Sequence, residues 1–126
     1  MIPIDGIDVE RGLRLSLSDE EFFAELLGIF LEAQERSRCG IAAALAEGRA
    51  TDALRLVHSM RGEAANIGAE ELRERAGAFE LVLREGRESD IPAATRAFED
   101  ALARVSKSIQ AFLSSKEASS LPASAP

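Results

Sequence analysis

The one histidine in this 126-residue chain, His58, is the side chain best suited to nucleophilic chemistry, because imidazole with a pKa of about 6.5 is mostly neutral at physiological pH. It lies in the stretch from Leu54 to Gly68, LRLVHSMRGEAANIG, with Arg61 and Gly62 one turn further on. At about 100° per residue, Ala53, Val57, Met60, Ala64 and Ile67 fall within roughly 40° of one direction, which predicts the core face of a helix. On the same wheel His58 points roughly 140° away, Arg61 roughly 80°, Leu54 roughly 100°, Ala65 roughly 120° and Gly62 roughly 180°. The imidazole is therefore predicted to face outward, bordered by small residues, a cation and an apolar leucine. A glycine inside a helix costs roughly 1 kcal/mol relative to alanine, so Gly62 implies that something must approach closely at that turn. Two plainer readings stand beside this one: His58 as an ordinary surface residue, and Gly62 as a helix end with Gly68 in a loop.

Other chemistries find little support. Cys39 is the single cysteine, which allows no intrachain disulfide, and no histidine or second cysteine lies near it in sequence to suggest zinc. The carboxylate pairs Glu20-Glu21 and Glu70-Glu71 fall at predicted helix starts, where they complement the helix dipole. No glycine-rich phosphate loop is present. The net charge of −7 argues against nucleic acid or an anionic membrane as principal partner. The sequence begins MIPIDGIDVERG, an acidic stretch without the apolar run of a signal peptide. The expected location is cytoplasmic.

The elements that must position His58 are all helical. Asp8 to Leu15 predicts a short helix. Ser18 and Glu21 form a capping-box pattern, followed by Phe22, Leu26, Ile29, Phe30 and Ala33 at helical spacing. Gly40 interrupts the pattern, leaving one long kinked helix or two, and Gly48 predicts a stop. Thr51 and Asp52 are the expected cap of the helix that carries His58. Glu70 to Glu85 predicts another, with Leu72, Ala76, Phe79 and Leu83 on one face and Gly86 closing it. Ser89 or Asp90 is expected to cap the last, with Pro92 in its first turn and a stripe from Ile91 through Ala94, Phe98, Leu102, Val105 and Ile109 to Phe112. Four long amphipathic helices joined by short links predict an all-α antiparallel four-helix bundle with a short N-terminal accessory helix over residues 1–113. Residues 114–126, rich in Ser, Ala and Pro, predict a disordered tail.

The run His58-Ser59-Met60-Arg61-Gly62-Glu63-Ala64-Ala65-Asn66-Ile67-Gly68 resembles the motif of the histidine-containing phosphotransfer (HPt) domain family. In that motif the phosphorylated histidine is followed by an apolar residue, a basic residue, glycine, small residues and an apolar-glycine pair. The stretch Gly6 to Leu13 resembles the short helix preceding such domains, so the similarity spans about residues 5 to 113. The resemblance implies a four-helix bundle that carries a phosphoryl group on His58 Nε2 between receiver domains of a phosphorelay. It implies that Arg61 stabilises phosphoryl charge, that Gly62 gives steric access, and that Leu54, Ala65 and Ala69 contribute to the docking surface. The receiver would bring the aspartate and the Mg²⁺, leaving this chain with no metal or cofactor, no kinase domain and a monomeric state. Two positions depart from the pattern: Arg61 where lysine is usual, and Glu63 where a small or hydroxylated residue is common. Two other readings are the phosphoacceptor bundle of a histidine kinase and a helical adaptor without phosphoryl chemistry. The kinase family usually has an acidic residue and then proline after its histidine, whereas Ser59 follows here and no proline comes before Pro92.

Overall fold

The computed structural model describes residues 3–120, with side chains through 117. Asp8 adopts an extended backbone and its side chain accepts a hydrogen bond from Arg11 N, which starts α1 (Val9–Leu15). Asp19 does the same for Phe22 N at 3.1 Å and starts α2 (Glu20–Ala46). The expected cap at Ser18 is thus corrected by one residue. Ser18 has a φ of 59°, and this left-handed backbone cannot present its hydroxyl to the first free amides as an extended N-cap does.

α2 runs unbroken through Gly40 for 27 residues. A Cβ on Gly40 would sit 3.3 Å from Leu56 Cδ1, so the glycine serves close helix packing and not a break. α3 (Ala50–Asn66) begins at Arg49, without a side-chain cap. Asp52, an expected cap, instead pairs with Arg49 at 2.8 Å and with Arg55. The remaining helices are α4 (Glu70–Arg84) and, after a 3₁₀ turn at Glu88–Asp90, α5 (Ile91–Ser120). The turn occupies the expected Ser89/Asp90 cap.

The disordered tail expected from residue 114 is corrected in part: α5 continues through Ser120, and Lys116, Glu117 and Ala118 are favourable helix residues. Residues 121–126 of that expectation lie outside the described residues.

α2 to α5 form a closed ring in which each helix packs on its chain neighbours and α2 also meets α5. Links as short as Ile67–Ala69 between α3 and α4 make neighbours antiparallel. The core holds Phe23, Leu27, Val57, Met60, Leu72, Phe79, Phe98, Leu102, Val105 and Ile109, all at most 1% exposed. The Phe79 and Phe98 rings meet at 5.5 Å with a 55° tilt, an edge-to-face type of contact.

The expected α2 face is wrong in part. Phe22 and Ile29 are 41% and 62% exposed, whereas Phe23, Leu27 and Phe30 are buried. The helix carries two apolar stripes about 100° apart, and α1 selects between them. Gly12 of α1 lies against the Phe23 ring so closely that a Cβ would come within 2.5 Å of it.

α1 is itself fixed at the α3–α4 turn, where Asp8 N donates to Gly68 O at 2.8 Å. Gly68 has a φ of +77°, and a Cβ there would fall 2.5 Å from Asp8 O. No other residue type suits both demands. Arg104 on α5 binds Asp5 at 2.9 and 3.0 Å and Glu71 at 3.2 Å, tying the N-terminal lead-in to α4 and α5.

Candidate functional site

α3 continues four residues past Gly62, so the glycine is in a helix interior, and nothing lies within 4 Å of the place its Cβ would occupy. Ala53, Val57, Met60 and Ala64 are buried as the phase predicted, and the His58 side chain is 68% exposed. The outward imidazole is nevertheless held. Its Nδ1 lies 2.7 Å from Oε1 of Glu80 on α4, and Glu80 is 1% exposed.

Glu80 is the site residue that the sequence reading missed. It lies about 70° from the α4 core direction, on the flank that meets α3. Three groups converge on its carboxylate. Oε1 accepts from His58 and from Arg84 at 2.8 Å, and Oε2 accepts from Arg61 at 3.1 Å. Burial acts to raise the Glu80 pKa, but hydrogen bonds and charge from His58 and Arg61 outweigh it and hold the carboxyl below its ordinary range. An ionised carboxylate can only accept, so Nδ1 carries the proton it shares with Glu80. In the neutral ring the lone pair is then on Nε2. Arg61 reaches Glu80 across Gly77, where a Cβ would lie 3.6 Å from its Nε.

A signal for Glu80 was present in the sequence. The antiparallel turn centred on Gly68 sets His58 level with residues 77–81, GAFEL, and Glu80 is the only ionisable residue among them.

The predicted docking residues divide. Leu54 is partly buried against the core and Ala65 is half-buried, so both present an edge beside the imidazole. Ala69 is a correction: it is fully buried, because it ends the α3–α4 turn with its N–H bonded to Ala64 O at 2.9 Å and its methyl enters the core. Leu81 on α4, 45% exposed, is an outward apolar residue beside Glu80 that the sequence reading did not name. Among the described residues no group of three or more His, Cys, Asp or Glu side chains is arranged to hold a metal ion. No helix of the described residues is long and apolar enough to cross a membrane.

The Hpt domain profile matches residues 25–108, from early α2 to the middle of α5, which leaves α1 outside the match. This covers more than half of the chain, which therefore belongs to the Hpt domain family. Hpt domains are helical bundles that act as phosphotransfer carriers in two-component phosphorelays, in general without kinase activity, and they interact with receiver domains. Comparisons with curated proteins and with solved structures gave no match.

Proposed function

We propose that this chain is a phosphorelay intermediate that accepts a phosphoryl group on His58 from a receiver aspartate and passes it to another receiver. The observation that carries this reading is the imidazole whose Nδ1 is held by a buried carboxylate 2.7 Å away while the ring stays 68% exposed beside an unobstructed Gly62.

In the transfer, the Nε2 lone pair forms the N–P bond as the O–P bond of the aspartyl phosphate breaks and leaves the aspartate carboxylate. Nδ1 keeps its proton throughout, so no base is needed. The ring becomes cationic, and the Glu80 carboxylate offsets that charge. Positioning and charge stabilisation dominate such a step. Arg61 and Arg84, whose side chains are 44% and 59% exposed, place positive charge beside the ring. Gly62 leaves room for the receiver, and Leu54 and Ala65 form the apolar part of its seat. The aspartate and the Mg²⁺ that assists it would belong to the receiver, and this chain would act as a monomeric carrier in the cytoplasm with no cofactor of its own. A ring of four helices within one chain favours this over a kinase phosphoacceptor bundle, which is completed by a second copy.

Incubation with a phosphorylated receiver domain is expected to give the wild-type protein an acid-labile, base-stable label. Equal labelling of His58→Gln would sink the proposal. Receiver binding without any labelling would establish the adaptor reading instead.

A further inference from the structure

Between α2 and α3, on the opposite flank of α3 from His58, lies an apolar cavity of about 130 Å³. It is lined by Leu26, Ile29, Phe30 and Ala33 of α2 with Asn66 and Ile67, and its charged residue is Glu63. Ile29 is 62% exposed there and Phe22, on the same stripe, 41%, while Leu26 between them packs partly against the core.

Glu63 is an exposed side chain and differs from the carboxylates that are ion-paired within the fold. Glu35, Asp52, Glu70, Glu80 and Glu99 each face an arginine, whereas Glu63 has no hydrogen bond or ion pair among the described residues. Burial pushes its carboxyl up. A carboxylate beside an apolar groove, partly desolvated and without a cation, is complementary to a partner that brings an apolar ridge and a positive charge together. A groove between two helices suits an amphipathic helix.

His58 and Glu63 are about 7.5 Å apart along α3 and roughly 140° apart around it. The bare crest at Gly62 lies between them in rotation. One partner resting on that crest can therefore reach both flanks.

We propose that Glu63 selects among receivers: the groove seats a surface helix of the docking receiver, and Glu63 pairs with a lysine or arginine on that helix. This rests on the phosphorelay reading of His58. It makes Glu63 a specificity-determining residue that does not touch the reacting atoms.

The test uses the full chain and a panel of phosphorylated receiver domains. Half carry Lys or Arg on the helix flanking their phosphoryl aspartate, and half carry Asp or Glu there. For Glu63→Lys, checked for helical content, transfer from the basic-helix receivers should slow about tenfold at low salt while acidic-helix receivers are spared or improved. Reversing the charge on one basic-helix receiver should restore its rate with Glu63→Lys, and the lifetime of the label on the chain should not change. Ile29→Ser should slow every receiver that the groove seats. A ranking of receivers indifferent to Glu63→Lys, or a uniform slowing of all of them, overturns the selection. If no receiver labels the wild-type protein, it is the phosphorelay reading that falls.

Discussion

Glu80 and Glu63 are the same residue type on adjacent helices, and their surroundings are opposite. Glu80 is almost wholly buried and its carboxylate takes three donors, which keeps its pKa low despite desolvation. Glu63 has no donor among the described residues, and desolvation raises its pKa. A buried carboxylate is tolerated when charged donors converge on it, and it then fixes their positions. Glu63 is exposed, and without a donor its partial desolvation is a small cost to the fold with no internal gain, so its use is to be sought in what docks there. The two flank the bare crest at Gly62, so α3 presents a completed polar cluster on one side and an incomplete surface on the other.

The largest expected effect tests whether the completed side is the reactive one. His58→Gln should abolish acid-labile labelling while the thermal transition stays within a few degrees of wild type, because the ring is 68% exposed. Retained labelling would move the chemistry elsewhere.

Next comes the crest itself. Gly62→Leu has open space to occupy and removes a helix-interior glycine, so denaturant titration should give a gain of about 0.5–1 kcal/mol. Transfer should fall by roughly fiftyfold, or about 2.3 kcal/mol, as the side chain obstructs the receiver. A stabilised variant with full transfer would remove Gly62 from the docking surface.

Glu80→Gln removes the charge at the centre of the completed cluster. The amide can still accept from Nδ1 but offers no charge to the imidazolium, so transfer should slow by roughly tenfold, about 1.4 kcal/mol. Stability against pH provides a second readout. The Glu80 carboxyl is lower in the folded protein than its ordinary value of 4.5. Its stabilisation is therefore complete above that value and is lost as pH falls through the depressed one. The advantage of wild type over Glu80→Gln should disappear in that acid window.

Glu63→Gln should give the smallest effect and the opposite sign. A raised carboxyl disfavours the folded state above its folded pKa and has no effect below the unfolded value. The variant should thus be more stable than wild type at neutral pH by less than about 1 kcal/mol. The difference should vanish in acid. A loss of stability at neutral pH would mean that Glu63 has a partner in the fold.

Much of this was legible in sequence. The phase of α3 follows from a 3.6-residue period and a single apolar stripe, so the outward His58, the flanking Arg61 and the crest at Gly62 could be read from spacing alone. The regular stripes of α4 and α5 were legible for the same reason, and so was the bundle they require. α2 was not, because it carries two apolar stripes of similar strength, and the contact of Phe23 with Gly12 of α1 decides between them. Ala69 was misplaced because a turn residue has no helical phase to read.

Local periodicity divides each helix into faces, which is enough to require that four amphipathic helices enclose one core and that His58 stands outside it. What stands beside the imidazole depends instead on how the helices pack. Glu80 is 22 residues from His58 in sequence and 2.7 Å from it in space, a proximity created by the antiparallel turn at Gly68, and a pattern read within one helix cannot contain it.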